Sequence, residues 1–124
     1  MANCPIEITV TTEYLPHQSK PSDQQWAFAY HITITNRGSE AAQLISRHWI
    51  ITDGNETQQE VQGMGVVGEQ PTISPGESYQ YSSGVILETG VGTMTGTYQM
   101  RGESGVSFDA PIPVFLLATP RAVH

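Results

Sequence analysis

The stretch VQGMGVVGEQP, Val61 to Pro71, decides the fold class, because it reads in more than one way. Gly63, Gly65 and Gly68 have the spacing G-x-G-x-x-G, the fingerprint of a dinucleotide-binding loop. In such a loop a strand turns tightly into a helix, and the aligned N–H groups of the helix N-terminus attract a pyrophosphate. Here Glu69-Gln70-Pro71 follows, then Pro75-Gly76, and the two prolines leave no room for a helix. Glu88 lies where a ribose-binding acid would be sought, but in a strand-and-turn context. The nucleotide fold fails, and two readings remain. Glycine's backbone freedom permits positive φ angles in a bulged crossover between two sheets. Alternatively, successive N–H groups of Gly63, Gly65 and Gly68 form an anion-binding nest without a helix, opposed by the charge of Glu69.

The flanking segments alternate apolar and polar residues with period two, the signature of half-buried strands. Ile6, Ile8 and Val10 alternate with Glu7, Thr9 and Thr11. Trp26, Phe28, Tyr30, Ile32 and Ile34 share one face of WAFAYHITITN. Residues 14–25, with two prolines and no periodicity, read as a long exposed loop. AQLISRHWIITD is a third strand ending at Asp53-Gly54, a hairpin dipeptide. TQQEVQ (Thr57 to Gln62) is a fourth, and SPGES (Ser74 to Ser78) is a turn. SYQYSSGVIL places Tyr79 and Tyr81 on one side, and TMTGTYQMRG does the same for Met94, Gly96, Tyr98 and Met100. In VSFDAPIPVFLL, unbroken alternation puts Val106, Phe108, Ala110, Ile112, Val114 and Leu116 on one face. Pro111 and Pro113 cannot donate ladder hydrogen bonds, so this is an edge strand.

Seven or eight short strands, no helical pattern, no repeat and no linker predict a single all-β domain over residues 1–124. The expected architecture is an antiparallel β-sandwich of the immunoglobulin/fibronectin type III kind, with a small barrel as its rival. Trp49 sits where such sandwiches bury an indole.

Composition narrows the function. The net charge is −7, and Lys20, Arg37, Arg47, Arg101 and Arg121 are the permanent cations. Nucleic-acid binding needs clustered cations to displace condensed counterions, so no nucleic-acid partner is expected. The opening MANCPIEITV has no basic region before an apolar stretch, and VFLLA is far too short to cross a bilayer. The expectation is a cytoplasmic protein without membrane insertion. Cys4, the single cysteine, excludes an intrachain disulfide and a cysteine metal cluster.

The blocks SRHWIITDGN, VQGMGVVGEQPTISPGESYQYSSG and GTMTGTYQM, from Ser46 to Met100, together resemble the ApaG family, and both ends of the chain fit it as well. The resemblance implies a small bacterial β-sandwich of the fibronectin type III kind. It also implies kinship with a module of some eukaryotic F-box proteins and of a polymerase-interacting protein, where the role is to bind protein partners. In enterobacteria the family is also called CorD, with a genetic link to cobalt resistance and magnesium efflux. It has no established enzymatic activity. One departure is the hairpin after Asp53. The family continues D-G-N-G, whereas this chain reads Asp53-Gly54-Asn55-Glu56, with Asp-Gly or Gly-Asn left to supply the turn backbone.

The residues propose little chemistry of their own. His17, His31, His48 and His124 lack the spacing of a metal site, and Asp53 with Asn55 offers too few oxygens for Mg²⁺. No metal or other cofactor is expected. Ser46 and His48 share a strand face, but two residues of strand separate them by roughly 7 Å, too far for a nucleophile and its base. No catalytic residues are assigned. Arg47 shares a face with Trp49 and Ile51, opposite to His48 and Ile50. Arg47 and His48, with Glu69 and Gln70 of the glycine loop, are the candidate partner-binding residues, and an exposed strand edge could accept a partner's strand. An unpaired edge also allows a homodimer without predicting one. The leading expectation is a non-enzymatic protein-interaction module. Its alternative is a small-ligand binder holding phosphate or pyrophosphate in the Gly63–Gly68 loop, with Mg²⁺ and Arg47.

Overall fold

The structure, a computed structural model, describes residues 4–123, so His124 lies outside the described residues. Eight strands run β1 (Ile6–Tyr14), β2 (Trp26–Asn36), β3 (Ala42–Asp53), β4 (Gln58–Met64), β5 (Thr72–Ile73), β6 (Ser78–Leu87), β7 (Val91–Gly102) and β8 (Ser107–Ala118). One sheet has the order β1-β2-β6 and the other β4-β3-β7-β8, with the short β5 also paired to β3. All pairings are antiparallel. This is the expected β-sandwich, and its division of strands follows the immunoglobulin pattern. The exposed segment after β1 contains two short 3₁₀ turns, Pro16–Gln18 and Pro21–Asp23.

Period two places the core. Phe28, Tyr30, Ile32 and Ile34 of β2 face Trp49 and Ile51 of β3 and Met94, Tyr98 and Met100 of β7, all buried. Trp49 is 3% exposed and meets Tyr30, Tyr98 and Phe115 edge-on, with ring centroids 5.5, 6.1 and 5.9 Å away. That geometry sets positive ring edges against negative faces and adds about 0.5–1.5 kcal/mol per pair beyond burial. Apart from the tyrosine hydroxyls, Asn36 is the one polar side chain buried in this interior among the described residues. Its Nδ2 donates to the carbonyls of Glu40 and Ile73, and its Oδ1 accepts from the N–H of Gly38.

The last strand departs from unbroken alternation. Its register against β7 shifts, with Gly96 opposite Ile112 but Met94 opposite Phe115. Thr95 therefore faces two residues, Pro113 and Val114, and its Oγ1 takes over the carbonyl of Ile112 at 3.0 Å. The extra residue inverts the pattern. Phe115 and Leu117 turn inward, while Val114 and Leu116 turn out to solvent. Strand β8 is an edge of its sheet, as its prolines require.

Candidate functional site

The glycine stretch lies beside a bulge in β3. There the pairing with β7 shifts between Leu44 and Ser46, which leaves Ile45 out of register. On the opposite side of β3, β4 ends at Met64 and β5 begins at Thr72, so the chain between them loops away from the ladder. Both ends of that loop are tied to the bulge. The Gly65 N–H donates to the Ile45 carbonyl (2.8 Å), and the Leu44 N–H to that of Pro71 (2.9 Å). The Gln70 side-chain amide also reaches the Ile45 carbonyl (2.9 Å).

At the apex, Val66 and Glu69 exchange both backbone hydrogen bonds (2.8 and 2.9 Å) around Val67 and Gly68. Both central residues have positive φ, +42° and +81°. This is the two-residue mirror-image turn of a tight hairpin, where Asn-Gly is the usual pair. The expected crossover between sheets is therefore corrected. The glycine loop stays on one sheet edge, and the chain changes sheets only after β5, at the turn closed by the Glu77 N–H on the Ser74 carbonyl.

The three glycines serve different ends. At Gly65, with φ +64°, a methyl group would lie 2.2 Å from the carbonyl oxygen of Glu69. At Gly68 nothing crowds the position, and only the positive φ matters. At Gly63 a methyl group would meet the Arg47 guanidinium at 2.8–2.9 Å. Gly63 thus lets the Arg47 head pass under β4, where its Nη1 donates to the carbonyls of Met64 (3.2 Å) and Gly65 (2.8 Å). The loop turns carbonyl oxygens toward the cation, and the N–H groups of Gly65, Val66 and Glu69 are engaged within the protein.

Arg47 also helps line a groove of about 470 Å³ between the free edges of β4 and β6. Trp49, Tyr30 and Tyr81 form part of its lining, with Val61 and Val67 on one wall and Ile86 on the other. Exposed apolar side chains gather here: Val67 and Ile86 are each 58% exposed, and Val61 is exposed as well.

The other candidate residues are dispersed. His48 is on the outer sheet face, its Nε2 3.0 Å from Glu60 Oε1, so it faces away from Arg47. Glu69 is exposed, and its backbone closes the turn. Ser46 donates to Gln99 Oε1 (2.8 Å). Asp53 Oδ1 accepts the N–H groups of Asn55 and Thr57. Among the described residues no three His, Cys, Asp or Glu come together to hold a metal.

One arrangement escaped sequence reasoning. His31 Nδ1 lies 2.6 Å from Ser82 Oγ, and its Nε2 lies 3.4 Å from Glu13 Oε1. The three residues come from β6, β2 and β1, so only sheet register brings them together. The row lies on an open face where water competes for every partner, unlike the water-excluded sites that stabilise developing charge.

This geometry defines an immunoglobulin-like β-sandwich with a groove between two sheet edges, bounded at one end by a glycine turn. A model of the ApaG domain matches residues 16–102, and the chain belongs to that family. It is 58% identical over 119 residues to protein ApaG of Azoarcus sp. (strain BH72), which covers 96% of this chain and 94% of that one. It is 59% identical to protein ApaG of Pseudomonas paraeruginosa (strain PA7) with the same coverage. Among solved structures, it is similar to the crystal structure of an ApaA protein from Bordetella pertussis (58% identity, TM-score 0.91, 94% of each chain). A second structural-genomics X-ray structure shares 54% identity at TM-score 0.92, covering 97% of this chain and 91% of its own. No helix among the described residues is long and apolar enough to cross a membrane.

Proposed function

We propose that this chain is a non-enzymatic protein-interaction module of the fibronectin type III kind, which holds a partner at the groove rim around Arg47. The observation that carries the reading is the gathering of Val61, Val67 and Ile86 around one groove. Exposed apolar side chains grouped around one concave surface are a mark of binding sites. Val67 strengthens the reading. A β-branched residue at φ +42° is strained by about 1–3 kcal/mol, and such strain gathers at functional segments. The module acts in the cytoplasm, and the cobalt and magnesium connection of the family runs through its partner. The other reading, pyrophosphate with Mg²⁺ in the Gly63–Gly68 loop, is less well supported. Three of the loop's N–H groups are already bonded within it or to β3, and Arg47 Nη1 is taken by two carbonyls.

The test is site-specific photocrosslinking in living cells. A benzophenone amino acid replaces Ile86 on the groove wall, or, as a control, Val106, which is similarly exposed but outside the groove. A discrete crosslinked product from position 86 alone is expected. Equal, diffuse labelling from both positions would remove the proposal.

A further inference from the structure

The two edges of the larger sheet are built differently. Strand β8 carries Pro111 and Pro113, which block strand addition. Strand β4, Gln58–Met64, has the sequence QQEVQGM, with no proline and no lysine, and among the described residues nothing pairs with its outer side. Its free backbone groups can be assigned. The Asp53 N–H donates to the Thr57 carbonyl, and the Gly65 N–H to that of Ile45. Antiparallel ladders alternate, so residues 57, 59, 61, 63 and 65 bond inward to β3. Gln58, Glu60 and Gln62 therefore aim their N–H and C=O groups out of the sheet.

The side chains alternate in the same way. Val61 is paired with Trp49 and stands with Gln59 on the groove side, whereas Glu60 stands on the outer face beside His48. A segment added to β4 would turn every second side chain over an apolar groove and the others toward Glu60. Acidic residues also stand in the turns before and after the strand, Glu56 and Glu69. Lys20, Arg37, Arg101 and Arg121 do not line the groove, and Arg47, which does, already donates to two carbonyls.

From this we infer that β4 is a strand-addition site for an extended segment of a partner protein in which apolar and basic residues alternate. The inference rests on the interaction-module reading and names the chemistry of its partner. Main-chain pairing with Gln58, Glu60 and Gln62 supplies affinity, and the alternating side chains supply selection. A second copy of this chain suits the edge poorly, since antiparallel pairing of two β4 strands brings two Glu60 side chains onto one edge between molecules that each carry a net charge of −7.

The test is an NMR titration of the full chain with a blocked seven-residue peptide of alternating lysine and valine. Three comparisons accompany it: the glutamate–valine counterpart, the lysine–valine peptide N-methylated at alternate amides, and the Glu60→Lys variant. Saturable shifts and slowed exchange confined to the Gln58, Glu60 and Gln62 amides are expected. The acidic and N-methylated peptides should not produce them, and Glu60→Lys should weaken the effect at least tenfold. Absence of binding by the lysine–valine peptide would overturn the inference. So would equal binding of the acidic or N-methylated peptide, or shifts centred on β8. Protection of the same amides without peptide, rising with protein concentration, would assign the edge to a second copy and also overturn it. If position 86 crosslinks a partner in cells while the peptide fails, the module reading stands and only the strand-addition chemistry falls.

Discussion

The phenolic oxygens of Tyr81 and Tyr98 share a hydrogen bond in the interior, and it joins the two sheets through β6 and β7. Each hydroxyl is the hydrogen-bond partner of the other, and both rings are buried. Removing one oxygen strands the other in an apolar setting, at about 1–3 kcal/mol, whereas removing both removes the need. Tyr98→Phe alone should therefore destabilise by about 1–2 kcal/mol, and Tyr81→Phe/Tyr98→Phe together by less than the sum. Urea unfolding of the double-mutant cycle measures the coupling. Strictly additive effects would mean that the pair does not act as a unit.

Burial also pushes both phenols up from the ordinary tyrosine value of about 10, since a tyrosinate is costly to hold away from water. The folded state then binds more protons than the unfolded state above that pH, so the slope of stability with pH is negative there. Stability from this source is fully present below about pH 10 and falls as pH rises further. Denaturant midpoints measured from pH 8 to 11.5 should drop above pH 10, and the double Phe variant should drop less.

Glu56 occupies the left-handed position of the β3–β4 hairpin, at φ +64°. Asn55 and Thr57 N–H groups bond to Asp53 Oδ1, and Gly54 needs no positive φ, so the strain falls on the residue where the family pattern has its second glycine. Glu56→Gly should stabilise by about 1 kcal/mol, roughly 4 °C in Tm. By the same reasoning Val67→Asn relieves the apex turn by a similar amount, and on the proposal above it lowers partner capture. Calorimetry of both variants, with the crosslinking assay for the second, checks this.

The three loop glycines should respond unequally to alanine. Gly68→Ala meets only the backbone preference, about 1 kcal/mol. Gly65→Ala adds overlap with the Glu69 carbonyl and should cost about 3 kcal/mol. Gly63→Ala should displace the Arg47 head from the Met64 and Gly65 carbonyls, at about 1–2 kcal/mol. Equal costs at all three positions in urea titrations would contradict these separate roles.

Pyrophosphate, ATP and GTP, with and without Mg²⁺, should leave the amides from Gly63 to Gln70 unshifted at millimolar concentration, because the loop offers its carbonyls to Arg47. Saturable shifts confined to those residues would transfer the assignment to the anion reading.

The alternation in Trp26–Asn36, the turns at Asp53-Gly54 and Pro75-Gly76, the burial of Trp49 and the prolines of the last strand were legible in the sequence, because each follows from local sterics and period-two burial. The placement of Arg47 and His48 on opposite faces was legible for the same reason. The turn at Val67-Gly68 was not, since valine is a poor left-handed residue and only the closure of the chain around the Ile45 bulge holds it there. Nor was the outward turn of Val114 and Leu116, because a single extra residue opposite Thr95 inverts a pattern that local reading must assume unbroken. The Tyr81–Tyr98 bond, the Glu13–His31–Ser82 row and the groove between β4 and β6 join residues far apart in the chain. Sequence determined which residues lie inward or outward along each unbroken strand. Only tertiary structure decided which strands meet, because pairing order and register are set by long-range packing of the two sheets and leave no mark in the periodicity of any one strand.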